Sequence, residues 1–417
     1  MKNSLTINII FTPNKYLFLN NKIYVIIILI LSFLLIINKK KNQAFKPKID
    51  YDNSLTSLAC SIEKYFEINP IHKTLPFIDN LFEEKQPDNV ILLLFDGLGS
   101  RVMDIFLDKN SFLMKNMKSE IYTVFPPTTA SCMNSIKTGL NPSEHGWLGY
   151  SIYVPPIDKI ITLFGDVEKG KFKSDEDFNK IKQKYYYNNT LITDLIKNKG
   201  KFLAFDLSRY YYGTNIDKCF EKILEALKIP GKKYIFSTFL EPDNILHIKG
   251  PKSEKVFEVI KNINDKVEKY SKLILEHEKT IIIISADHGH LTSIPNKISF
   301  RNLNKYLKVN KLFIENRSPT FLVKPLYEKE FIKEFNKNFG NDFFLLSKKE
   351  ILKYNLYGEY SKGKKHEFFE ESVGDFMGIT KGSTNKVLFG EGDHEMSSYH
   401  GGYSDDEINI PLIVLSN

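Results

Sequence analysis

From residue 50 onward the chain predicts an α/β fold: a doubly wound, mostly parallel sheet with helices on both faces. Two observations carry that expectation. Strand-like and helix-like segments alternate, and the strand-like ones are short unbroken apolar runs, as strands buried on both faces require. A third observation is positional. Acids of the metal-binding type stand just after three of those runs, where open α/β sheets bind ligands.

Val90–Phe95 is the first apolar run, and Lys201–Phe205, Tyr234–Phe239, Thr280–Ser285 and Pro411–Leu415 are four more. Helical patterns lie between them. Thr190–Asn198 is closed by Lys199 and Gly200. Val256–His277 places Val256, Val259, Ile260, Ile263 and Val267 at helical spacing. Residues from about 291 to 392 are polar and rich in Lys and Phe. They hold another strand–helix–strand pattern (Thr320–Lys324, Glu328–Asn338, Phe343–Leu346), read as an inserted small α/β subdomain able to cover the site. The catalytic domain is thus expected over residues 50–417.

Residues 1–48 are of another kind. They hold eight lysines and no acid, which accounts for the whole net charge of +8; the rest carries 50 basic and 50 acidic residues. A balanced globular part argues against a nucleic-acid-binding surface. Ile23 to Ile37 is a run of 15 residues broken only by Ser32, whereas a membrane span takes roughly 20, with about 17 as the lower limit. A signal-peptide core has this length, but Asn38-Lys39-Lys40-Lys41 follows in place of a small-residue cleavage site. An uncleaved hydrophobic helix anchoring the chain in a membrane is the expectation; a cleaved signal and a disordered extension are the alternatives. Five lysines after the run against three before it favour a catalytic part on the cytoplasmic side. Three scattered cysteines, Cys60, Cys132 and Cys219, are too few for a disulfide framework.

Six candidate ligands stand at the predicted strand ends: Asp96, Asp243, His247, Asp287, His288 and His400. Carboxylate and imidazole suit zinc, with manganese the alternative, and six such groups suit two divalent ions at three ligands each. Asp243 and His247 are four residues apart, so one helical turn brings both to one ion; Pro242 fits its start and Gly250-Pro251 its end. Asp287 and His288 are adjacent, which demands a kink that Gly289 can supply. Between these segments, two prolines precede Thr128 and Thr129, and the next ten residues can form a helix stopped by Gly139. Either threonine could be its N-cap, with a hydroxyl at the positive end of the helix. Trp147, Tyr150 and His290 are candidate substrate contacts, the two aromatics as stacking faces. His145 is placed to brace the loop after that helix.

Together these segments resemble the type I phosphodiesterase/nucleotide pyrophosphatase family of the alkaline phosphatase superfamily. The resemblance rests on Phe95-Asp96-Gly97, Phe125-Pro126-Pro127-Thr128-Thr129, Thr138-Gly139 through His145-Gly146, Glu241-Pro242-Asp243 with His247 and Gly250-Pro251, Ala286-Asp287-His288-Gly289 and His400-Gly401-Gly402. It implies an alkaline phosphatase-like fold and a phosphodiesterase acting through a phospho-threonine. Asp243, His247 and His400 would hold one zinc; Asp96, Asp287 and His288 the other. The family's nucleophile lies nine residues before the Thr of Thr-Gly, which is Thr129. Its nucleotide pyrophosphatases hold the phosphoryl group with an asparagine about twenty residues later, where this chain has Tyr150. The expected substrate is a small phosphate ester or nucleotide-like molecule. A phosphomonoesterase or a metal-dependent phosphosugar mutase shares these ligands and is the alternative. A sulfatase would need a Cys/Ser-x-Pro-x-Arg segment, which is missing. The non-enzyme alternative is a membrane-anchored binding module.

Overall fold

The computed structural model describes residues 44–162, 180, 183–186, 189–208, 215–361, 364–390 and 395–417. The expected anchor at 23–37 lies outside them. Among the described residues no helix is long and apolar enough to cross a membrane.

Residues 47–417 form one compact unit. Its strands in chain order are β1 (Asn89–Phe95), β2 (Met117–Tyr122), β3 (Ser151–Val154), β4 (Lys159–Thr162), β5 (Leu203–Asp206), β6 (Lys233–Phe239), β7 (Thr280–Ala286), β8 (Asn296–Ser299), β9 (Phe313–Glu315), β10 (Ser318–Phe321), β11 (Phe343–Ser347), β12 (Phe376–Thr380), β13 (Lys386–Phe389) and β14 (Asn409–Ser416). A central sheet has the order β2-β14-β7-β1-β6-β5. Its β5, β6, β1 and β7 run parallel, and every residue of β1 and β7 is buried. That double-sided burial is why these strands read as continuous apolar runs.

The expected strand at Pro411–Leu415 exists as β14, but it runs antiparallel to both its neighbours. It enters the sheet straight from the short helix Asp405–Ile408, so no crossover is needed to reverse direction. Pro411 precedes the residues paired with β7 and adjoins a register shift against β2, so its missing N–H is tolerated. Helix Glu254–Ile274 packs Val256, Ile260, Ile263, Val267, Tyr270 and Ile274 inward, and Ser253 caps it by accepting from the Lys255 N–H.

A second, antiparallel sheet has the order β11-β12-β10-β9-β3-β4. It joins β3 and β4 to strands from the 291–392 stretch. The phenylalanines noted there fill its core: Phe331, Phe335 and Phe339 of helix Glu328–Phe339 cluster with Phe300, Phe321, Phe343 and Phe376. β8 and β13 form a separate parallel pair.

The consequence for function is a matter of register. Phe95 pairs with both Phe239 and Ala286, so β1, β6 and β7 end at one level. The loops leaving these three strands therefore emerge on the same rim.

Candidate active site

The three acids are latched to that rim by backbone. Asp96 donates its N–H to the Phe239 carbonyl at 2.9 Å, and the Asp243 N–H donates to the Asp96 carbonyl at 3.0 Å. Gly97 has φ +73°, and a Cβ there would lie 2.9 Å from the His290 ring and 3.0 Å from Asp243 Cβ. Glycine is required at this crossing. Its N–H donates to Asp287 Oδ1 at 3.0 Å. The bend after the strand falls at Asp287, and Gly289 serves a close approach instead: a Cβ there would meet the Asp406 carbonyl at 2.0 Å.

Asp243 opens helix Asp243–Lys249, with Pro242 at its cap and Gly250 (φ +77°) ending it. One turn later His247 brings Nε2 to 3.2 Å from Asp243 Oδ1. The helix carrying the threonine is Thr129–Thr138, closed by Gly139 at φ +67°. Of the two threonines left open by sequence, Thr128 takes the extended N-cap position and Thr129 begins the helix. Thr129 Oγ1 lies 3.4 Å from Asp96 Oδ1 and 3.3 Å from His288 Nε2.

All six predicted ligands therefore converge around Thr129, although they span some 300 positions of sequence. Two groups have ligand atoms within 4.8 Å of one another: Asp96, Asp287 and His288; and Asp243, His288, His290 and His400. His288 belongs to both, and His247 stands beside the second through Asp243.

Proton bookkeeping tests whether these residues suit metal ions. His247 Nδ1 faces the Ser398 carbonyl at 2.8 Å, His288 Nδ1 the Gly289 carbonyl at 3.0 Å, and His400 Nδ1 the Pro127 carbonyl at 2.9 Å. Carbonyls only accept, so each Nδ1 carries the proton. His290 Nδ1 is 3.1 Å from Ser398 Oγ, whose own proton goes to the Leu291 carbonyl, so it too must donate. In the neutral ring each Nε2 lone pair is then aimed at carboxylates. His290 is 2.6 Å and His400 3.7 Å from Asp243 Oδ1, and His288 is 3.5 Å from both Asp96 and Asp287. Asp287 Oδ2 is buried with no hydrogen-bond partner. Acceptors facing acceptors in a dry pocket are reconciled by cations, and the oxygen and nitrogen donors suit zinc or manganese.

The electrostatics agree at Asp96 and His400; at the Asp243–His247 pair burial is outweighed by mutual attraction, which lowers the carboxyl well below its usual range and raises the imidazole. Burial, and then repulsion from Asp287 and Asp243, pushes the Asp96 carboxyl well above its usual range. Burial also holds His400 well below the ordinary imidazole value. Positive charge is the missing component.

The three expected substrate contacts fare differently. Trp147 is only 3% exposed. Its Nε1 donates to the Tyr186 carbonyl at 2.7 Å, and its own carbonyl accepts from Ser131 Oγ on the Thr129 helix at 2.7 Å. It packs behind that helix and offers no open face, because the polar edge of the indole finds its partner inside. His290 is fully buried against Asp243, among the ligands and not at the mouth. Tyr150 is half exposed. His145 braces as expected, with Ser135 Oγ 3.0 Å from Nε2 and Nδ1 accepting from the Trp147 N–H.

Sequence reasoning missed Glu315, at the end of β9. Its Oε1 accepts from the Tyr150 N–H at 3.0 Å, and it shares a hydrogen bond with the Thr128 side chain. Burial raises its carboxyl to about 7, against the lowering effect of these partners and of His247. Nothing in Phe313-Ile314-Glu315-Asn316-Arg317 marks it locally, since its neighbours come from distant segments.

Fold and site together define an ester hydrolase of the metal-dependent α/β kind, with its centre at the strand ends of a mixed sheet. A family model for type I phosphodiesterase / nucleotide pyrophosphatase matches residues 90–385, and the chain belongs to that family, within the alkaline phosphatase superfamily. No curated protein sequence matches it. Solved structures of ectonucleotide pyrophosphatase / phosphodiesterase 5 share the fold. The murine protein superposes with a TM-score of 0.60 at 17% identity, over 79% of this chain and 88% of its own. The human protein gives 0.59 at 15% identity, over 78% and 87%. An inactive form of the murine protein in complex with AMP gives 0.58 at 18%, over 78% and 87%.

Proposed function

We propose that this phosphoester hydrolase cleaves phosphodiesters, nucleotide-like ones among them, by transfer to Thr129 and then to water. The observation that carries the proposal is the Thr129 hydroxyl, within 3.4 Å of Asp96 and His288 at the start of a helix. Asp243, His247, His290 and His400 would hold one divalent ion and Asp96, Asp287 and His288 the other. Such ions, zinc first, would lower the pKa of the threonine hydroxyl and offset charge on the phosphoryl and leaving oxygens.

The chain's own residues do the rest. Thr129 Oγ forms a bond to phosphorus as the bond to the leaving oxygen breaks, giving phospho-threonine. Water then forms a bond to phosphorus and the Oγ–P bond breaks, restoring the hydroxyl. The free N–H groups of the first helical turn are placed to receive the phosphoryl oxygens. The relative complexed with AMP supports a nucleotide-like ligand, and half-exposed Tyr150 offers a face for its base.

The test is Thr129→Ala in the full chain, loaded with zinc and assayed on bis(p-nitrophenyl) phosphate. Turnover should fall by at least about a thousandfold while both ions are retained. A metal-replete variant with wild-type turnover refutes the nucleophile. Comparing that diester with p-nitrophenyl phosphate separates the diesterase from a monoesterase.

A further inference from the structure

We propose that Glu315 determines which ester class the site accepts: its carboxylate tolerates the single charge of a phosphodiester and repels the second charge of a phosphomonoester. The inference rests on the phosphoester reading above and adds the selection to it.

Glu315 belongs to the second sheet, yet its side chain ends beside the catalytic loops of the first. On one side it meets Thr128, the residue before the nucleophile, and the Tyr150 N–H at 3.0 Å. On the other it meets Gly401, the residue after His400. A Cβ at Gly401 would lie 2.6 Å from Glu315 Cγ and 3.0 Å from Cδ, so this glycine leaves the space the side chain occupies. The carboxyl also stands in the field of His247. It is therefore wedged between the N-cap of the nucleophile's helix and a ligand loop.

The two hydrogen bonds do not explain a carboxylate. A glutamine could accept from the Tyr150 N–H through its oxygen and meet the Thr128 hydroxyl with either end of its amide, without the desolvation that a buried charge entails. Arg317, two residues along, is engaged with Glu407 at 2.7 Å. What Glu315 supplies beyond an amide is negative charge beside Thr128 and within the field of His247. Above pH 7 a phosphomonoester carries nearly two negative charges, its second pKa being about 6, and a diester carries one. A fixed carboxylate beside the nucleophile's N-cap thus penalises the monoester selectively, by repulsion and not by shape.

Glu315→Gln isolates the charge because it keeps the acceptor for the Tyr150 N–H. The zinc-loaded full chain and the variant are assayed at about pH 8.5 on bis(p-nitrophenyl) phosphate and p-nitrophenyl phosphate. The diester-to-monoester ratio of kcat/KM should fall about tenfold, through a gain on the monoester. Calorimetric titration should show inorganic phosphate binding about tenfold tighter to the variant, with dimethyl phosphate unchanged. A ratio and a phosphate affinity both within about twofold of wild type overturn the proposal. So does a ratio that falls through loss of diester turnover alone, which is what a purely structural role predicts. A wild-type protein that turns over neither ester refutes the hydrolase reading, and the two anion titrations still decide the role of Glu315.

Discussion

At the scale of single residues, His290 shows how hydrogen-bond accounting assigns a role that residue type does not. Its Nδ1 must donate to Ser398 Oγ, because that hydroxyl gives its proton to the Leu291 carbonyl. The unprotonated Nε2 then lies 2.6 Å from Asp243 Oδ1, closer than His247 or His400 comes to the same oxygen. Two acceptors at that distance must share a proton or be joint ligands of one ion. His290→Ala should weaken one of the two ions by about 10- to 100-fold and leave the other bound. Competition with a chromophoric chelator reads this without any turnover. Equal affinities for both ions in variant and wild type would show that His290 is an ordinary buried partner of Asp243. In sequence, the same histidine reads as a substrate contact, because adjacency to Asp287-His288-Gly289 says only that it is near.

At the scale of elements, the strands that read most plainly in the sequence are those buried on both faces. β1, β6 and β7 appear as apolar runs, and the acids after them mark the rim. β2 is invisible there, since Lys118, Ser119 and Glu120 are exposed on an edge strand and break the pattern. The direction of β14 is unreadable too, because an apolar run has no polarity. β3 and β4 escape notice: they are four residues each, and the pair joins its sheet only through β9, far along the chain. Helix packing carries a further signature. Helix Leu55–Tyr65 presents Glu63 to the closing turn of the Thr129 helix, where a Cβ on Gly139 would lie 2.7 Å from Glu63 Oε2. Burial raises this carboxyl from 4.5 to about 7, opposed by a hydrogen bond with Cys60. Between those values the native state binds more protons than the unfolded one, so stability falls as pH rises through the window. The loss is on the order of 3 kcal/mol. Glu63→Gln should raise the melting temperature by a few degrees at pH 8 and change it little near pH 4.5; equal shifts at both values would remove Glu63 as the cause.

At the scale of the whole molecule, two sheets meet around one pocket. Arg317, at the turn into β10, makes a two-pronged ion pair with Glu407 at 2.7 and 2.8 Å, and both side chains are fully buried. Glu407 also accepts the Gly402 N–H through its side chain and the Gly289 N–H through its carbonyl. One residue therefore ties the second sheet to the loops that carry His400 and His288. The same arrangement buries Asp96 and Asp287 together, with both carboxyls raised, which opposes folding unless positive charge accompanies them. Ions that bind the native site and not the unfolded chain stabilise it by mass action, about 2.7 kcal/mol for each ion at a hundred times its dissociation constant. Dialysis against a chelator should lower the melting temperature by several degrees, and zinc should restore it. The effect should persist in Thr129→Ala, whose ligands are intact, which separates stabilisation by metal from catalysis. If elemental analysis shows the metal gone while the melting temperature stays put, the acids are not what strains the apo protein, and the seam between the sheets holds without ions.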